Sequence, residues 1–210
     1  MKQEIKAALQ DMLGPTFGIG VTDPRDPAEG LWPTEAPAIA RAVEKRQRDF
    51  AAGRRAAREA MAVLNIAPTA IPQGEQREPI WPQGLIGSIS HCATCCIAAI
   101  AKSSDHRSVG IDIEPATPLD TDLNRMICQS SEQDWLTTQP DPQLAAKTIF
   151  SVKEAVYKAQ FPLTREVIGF HAVTTAITDT KFTATITKTG QQFSGSFLIT
   201  QGLILSHSHV

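Results

Sequence analysis

The segment Val109-Gly110-Ile111-Asp112-Ile113-Glu114-Pro115 constrains the fold more than any other stretch of the chain. Alternation along a strand sends Val109, Ile111 and Ile113 to one face and Gly110, Asp112 and Glu114 to the other. Two acids pointing the same way at a strand end repel each other unless a cation lies between them. A hard divalent ion, magnesium first, suits such a pair because it takes a few carboxylates and completes its shell with water and phosphate. An edge strand with two solvated acids is the competing reading, and the pair alone does not separate the two.

A second segment bears on that choice: Phe150-Ser151-Val152-Lys153-Glu154-Ala155-Val156-Tyr157-Lys158-Ala159. Read as a helix, it places Ile149, Val152, Val156 and Ala159 on a buried stripe. Lys147, Ser151, Glu154 and Lys158 recur on the opposite side, so Glu154 and Lys158 are neighbours on an exposed or cleft-facing surface. Glu followed by Lys at i+4 is also an ordinary surface pair, worth a few tenths of a kcal/mol. A third acid near Asp112 and Glu114, with a lysine one turn away, instead suits a metal-bound diphosphate.

Together, Gly110-Ile111-Asp112-Ile113-Glu114 and Phe150-Ser151-x-Lys153-Glu154-Ala155-x-Tyr157-Lys158-Ala159 resemble the 4′-phosphopantetheinyl transferases, and within them the Sfp-like branch and its enterobactin-synthase (EntD-like) group. Two upstream runs carry the same resemblance: Arg77-Glu78-Pro79-Ile80-Trp81-Pro82-x-Gly84-x-x-Gly87-Ser88-Ile89-Ser90-His91-Cys92 and Arg48-Asp49-Phe50-Ala51-Ala52-Gly53-Arg54. The matched segments fall in order between about Arg46 and Phe170.

The resemblance implies an α+β fold of two pseudo-symmetric halves, residues 1–105 and 106–210, with the active site in the cleft between them. It implies transfer of phosphopantetheine from coenzyme A to a serine of an apo acyl- or peptidyl-carrier protein, releasing adenosine 3′,5′-bisphosphate. Asp112 and Glu114 match the family's metal ligands, for magnesium with manganese as the alternative. Glu154 matches the third acid, as ligand, serine base or both. Lys158 matches the lysine on the pyrophosphate. Arg46 and Arg54 are the candidates for the 3′-phosphate of coenzyme A, with Arg55 as a third; Arg77 stands where a lysine is common, and Ser90 with His91 matches a phosphate-binding Ser-His pair. The EntD-like flavour of Trp81-Pro82 and Gly87-Ser88-Ile89-Ser90-His91 points to siderophore or other nonribosomal peptide assembly, with polyketide and fatty-acid carriers as the alternatives. A magnesium-dependent phosphohydrolase and a non-catalytic coenzyme A or carrier-binding module are the alternatives.

Three departures accompany the match. Ile113 supplies no ligand between the two acids, the segment Cys128 to Glu132 fits only loosely and leaves Glu132 without a role, and residues 1–37 carry no motif.

Composition is compatible with this and excludes other classes. A net charge of −2 argues against a general nucleic-acid binder. No apolar run is long enough to span a bilayer and no signal-peptide pattern opens the chain, so a cytoplasmic protein is expected; the two-half architecture that the resemblance implies lets one chain form a complete site, so a monomer is expected. Cys92, Cys95 and Cys96 lack a second paired cluster for zinc and read as small apolar residues of a strand; His207 and His209 read as part of an alternating terminal strand.

For the elements, Pro37 to Leu64 reads as one helix with Ile39, Val43, Phe50, Ala57, Met61 and Leu64 inward and Gly53 as a bend. Strands are expected at Leu85–Ile89, Cys95–Ala101, from Val109, and at Phe182–Ile186 and Phe193–Ile199. Helices are expected near Leu119–Ile127, Glu132–Leu136 and around Glu154. Helix followed by strands, twice, predicts an α+β protein.

Overall fold

The computed structural model describes all residues, Met1–Val210. It separates into two compact units, Met1–Val109 and Gly110–Val210. Both are of the α+β kind, a long helix packed on an antiparallel sheet.

The first unit comprises α1 (Lys2–Leu13), β1 (Gly18–Thr22), α2 (Glu44–Val63), β2 (Leu85–His91) and β3 (Cys96–Lys102). Its sheet has the order β1-β3-β2, all antiparallel, with Gly20 opposite Ala98 and Gly87 opposite Ile100. The core is built largely of small residues: Ala52, Ala56, Ala57, Ala60, Met61 and Ile71 meet Cys96, Ala98 and Ile100. That composition lets helix and sheet approach closely. A Cβ on Gly20 would meet the Ala56 carbonyl oxygen at 1.8 Å, and one on Gly18 the Ala60 oxygen at 2.1 Å.

The expected Pro37–Leu64 helix is two elements: a 3-10 turn, Ala36–Ile39, and α2. Val43, expected inward, is extended at the N-cap of α2 and 75% exposed. Gly53 lies within α2 instead of interrupting it, and a Cβ there would stand 3.0 Å from Ile89 Cγ2. That close approach accounts for a residue without a side chain here.

The second unit starts within β4 (Val109–Pro115) and continues through α3 (Asn124–Ile127), α4 (Ser130–Leu136), α5 (Pro142–Thr164), β5 (Val173–Thr178), β6 (Lys181–Ile186), β7 (Gln192–Thr200) and β8 (Leu203–His209). The sheet order is β4-β8-β7-β6-β5, and β5 to β8 form an antiparallel meander. Asp141 caps α5 by accepting from Leu144 N at 3.0 Å, Pro142 occupies the first turn, and Arg165 closes it in the left-handed region. Val152, Val156 and Ala159 of α5 pack on Val173, Phe182, Ala184, Ile186 and Phe193 of the sheet. Ile149 packs with Ile127, Cys128 and Leu136 of α3 and α4.

All four cysteines are buried free thiols. Burial pushes Cys95 and Cys96 up to about 12 and Cys128 up to about 11, which marks them as unreactive packing residues. No helix is long and apolar enough to cross a membrane.

Candidate functional site

Gly110 fixes the geometry of the acidic strip. A Cβ at this position would meet the Ala155 carbonyl oxygen at 1.9 Å and Ala159 N at 2.5 Å, so β4 lies directly against α5. Strand alternation then turns Asp112 and Glu114 toward the same helix. Lys158 donates to Asp112 Oδ1 at 2.7 Å and to the Ile111 carbonyl at 3.2 Å. Lys147, three turns earlier, is paired with Glu114. Gly110 thus faces Ala155 and Ala159 while Glu114 faces Lys147, which means that β4 and α5 run antiparallel.

Glu154 stands on the same helical stripe. Burial raises its carboxyl above the ordinary carboxylate range; the Lys158 ammonium opposes this, and the charges of Asp112 and Glu114 reinforce it. The charges of Asp112 and Glu114 are therefore felt at Glu154. They do not form a closed set of metal ligands, because no group of three or more His, Cys, Asp or Glu side chains is gathered in ligating geometry. Lys158 and Lys147 stand beside Asp112 and Glu114 instead. The donor set nevertheless fits a hard cation: three carboxylate groups, one of them electrostatically strained by the other two.

The stripe is less exposed than its polarity suggested. Ser151 is fully buried and donates to Ser206 Oγ of β8 at 3.0 Å. Beside Glu154 a cavity of about 170 Å³ is lined by Tyr157, Ile168, Phe170 and Val173. Its floor is held by Lys153, whose ammonium is buried and donates to Glu132 Oε2 at 2.6 Å, to the Ile127 carbonyl at 2.7 Å and to the Phe170 carbonyl at 3.2 Å. Glu132, which had no assigned role, also accepts from Gln129 N and from Thr175 N and Oγ1, each at 2.7 Å. One carboxylate and one ammonium thereby tie α3, α4, α5, β5 and the Phe170 turn together. The loose fit of residues 128–132 to the family pattern hid this network.

In the first unit, the cationic candidates divide by what they touch. Arg54 is buried over the Phe50 ring, and it donates from Nε to the Ile71 carbonyl at 2.7 Å and from Nη2 to that of Pro72 at 3.4 Å. Burial pulls it down to about 10. Arg55 is engaged with the carbonyls of Pro27, Glu29 and Asp23, and Arg58 with Glu35 and Gly30. These three staple loops onto α2. Arg46 is half-buried, close enough to Arg54 for mutual repulsion, and has no carboxylate partner. Arg77 is exposed in a turn at φ 67°. Ser90 and His91 end β2; His91 Nδ1 lies 3.9 Å from Asp49 Oδ2, which Lys45 also holds at 2.8 Å. Asp49, absent from the sequence candidates, thus lies beside His91.

Two family models match the chain: the 4′-phosphopantetheinyl transferase N-terminal domain over residues 34–101, and the 4′-phosphopantetheinyl transferase superfamily over 108–205. The chain belongs to the 4′-phosphopantetheinyl transferases. It is 42% identical over 138 residues to 4′-phosphopantetheinyl transferase Npt of Nocardia iowensis, covering 66% of this chain and 62% of that one. It is 39% identical over 158 residues to 4′-phosphopantetheinyl transferase Svp of Streptomyces mobaraensis, covering 73% and 64%. It is also 39% identical over 132 residues to enterobactin synthase component D of Salmonella typhimurium, covering 61% and 54%. The chain therefore spans less than two thirds of the length of these relatives. The second transferase model takes in the whole strip from Asp112 to Lys158.

Proposed function

We propose that this chain transfers 4′-phosphopantetheine from coenzyme A to a serine hydroxyl of an apo carrier protein. The observation that carries this reading is the acidic strip of β4 lying against Glu154 and Lys158 of α5. In the reaction the serine Oγ attacks the β-phosphorus, the bond from that phosphorus to the bridging oxygen breaks, and adenosine 3′,5′-bisphosphate departs. Glu154, on the helix face beside Lys158, is the proposed base for the serine proton. Lys158 offsets charge on the diphosphate. Asp112, Glu114 and Glu154 would hold magnesium, or manganese in its place, and the bound ion would supply charge neutralisation at the phosphates.

Arg46, Ser90 and His91, with Arg77, are the contacts proposed for the phosphates of coenzyme A. Arg54, the other candidate for the 3′-phosphate, is engaged with the carbonyls of residues 71 and 72. Carriers of siderophore or other nonribosomal peptide assembly are the proposed partners, in keeping with the named enterobactin relative, and the enzyme is proposed to act as a cytoplasmic monomer.

Incubation with coenzyme A, magnesium and an apo-peptidyl carrier should add one phosphopantetheine to the carrier, read by intact-protein mass spectrometry. Glu154→Gln should abolish the addition with the fold retained. Turnover of coenzyme A without carrier labelling would replace this reading with a phosphohydrolase.

A further inference from the structure

Lys147 has no part in the reaction as described, yet it is bonded to one of its acids. The geometry points to Lys147 as a built-in counter-ion that holds Glu114 while no divalent cation is bound and competes with such a cation for that carboxylate. The inference rests on the transferase reading for its purpose, but its physical basis is local. The Lys147 side chain is 14% exposed and that of Glu114 is 21% exposed, so their pairing is poorly screened by solvent. Glu114 is the one oxygen partner of Lys147; its other contact is the Phe150 ring, 4.8 Å from the ammonium to the centroid.

Lys158 differs in this respect. It is bonded to the Ile111 carbonyl as well as to Asp112, so a metal that drew away the carboxylate would leave it tethered. Loss of Glu114 to a metal would leave Lys147 with only an aromatic face. A released ammonium beside an incoming diphosphate is a favourable exchange: the strip of Asp112, Glu114 and Glu154 keeps its charge balance before the metal arrives, and a lysine becomes available after it does.

The test uses the full chain and Mn2+ alone, with the free ion followed by electron paramagnetic resonance. Lys147→Met should bind Mn2+ several-fold tighter than the parent protein and should melt at a lower temperature without metal, with the difference closing at saturating Mn2+. Lys147→Arg should behave like the parent. Lys181→Met removes an exposed lysine of β6 and should change nothing. Unaltered Mn2+ affinity in Lys147→Met overturns the inference, as does equal tightening by Lys181→Met or no Mn2+ binding by any of the proteins. Carrier labelling by the parent protein, measured separately, distinguishes the two ideas. Labelling with an inert Lys147→Met sinks only the counter-ion, and ion competition without labelling sinks only the transferase.

Discussion

Replacing Lys153 by Met should be among the most destabilising single changes in the second unit. Both Lys153 and Glu132 have side chains only 1% exposed, and their ion pair is 2.6 Å long. Truncating the ammonium leaves Glu132 buried with its charge uncompensated, and removes a donor from the carbonyls of Ile127 and Phe170. Breaking one side of a buried pair costs roughly 3–5 kcal/mol, against about 1 kcal/mol or less for an exposed pair. In a chain of this length each kcal/mol lowers the melting temperature by about 2–4 °C, so a fall of roughly 12 °C is expected. Urea unfolding followed by circular dichroism measures the same quantity at constant temperature.

A second variant separates charge from packing. Lys153→Met combined with Glu132→Leu removes both charges, so the double change should cost less than the two single changes added together, by about 1–3 kcal/mol. It will not restore the parent stability, because Gln129 N and Thr175 N lose their acceptor. A loss below about 1 kcal/mol for Lys153→Met would refute the reasoning, since it would place the pair with solvent-screened surface pairs. Additive single changes would refute it equally.

Three further outcomes follow from other contacts. Gly110→Ala places a methyl where the Ala155 carbonyl lies and should destabilise by about 3 kcal/mol or more while abolishing carrier labelling, read by urea unfolding and mass spectrometry. Burial, with a smaller contribution from His209, lowers His207 from 6.5 to about 4, so its folded form stays neutral where the unfolded form takes up a proton. Stability is therefore lost as pH falls from 6.5 toward 4, by about 2 kcal/mol at pH 5, and His207→Gln should flatten that limb in urea titrations at both pH values. Arg46→Ala should raise KM for coenzyme A with unfolding unchanged, whereas Arg54→Ala should lower stability by about 2 kcal/mol through its lost loop carbonyl bonds.

Alternation and helical spacing made β4 and α5 legible, because each obeys one simple period and packs on one side. Asp112, Glu114, Glu154 and Lys158 were readable for that reason. β1 was not: Gly18-Ile19-Gly20-Val21-Thr22 lies in a Gly- and Pro-rich stretch, and glycine lowers strand propensity wherever it appears. The missing signal was tertiary, since these glycines answer to α2 and not to their neighbours in sequence. The same holds for Arg54 and Arg55. The family motif made them candidates for phosphate, while the carbonyls that engage them lie on loops 17 to 32 residues away in sequence.

The two units reach a common design through a device that leaves little trace as sequence identity. In the first, Gly18 and Gly20 of β1 let the Ala60 and Ala56 turns of α2 rest on the strand; in the second, Gly110 of β4 accepts the Ala155 turn of α5. Close approach needs only small residues at a few crossing points, so the remaining positions are free to diverge. What the second unit does with that freedom is chemical. The strand positions following Gly110 on the same face carry Asp112 and Glu114, and the helix opposite carries Lys147, Glu154 and Lys158. A shift of one residue in β4 would send Asp112 and Glu114 to the far face and bring Ile111 and Ile113 against the lysines. Gly110 excludes that shift, because any other residue in its place would drive a Cβ into the helix backbone. The glycine therefore sets the register on which the whole acidic strip depends.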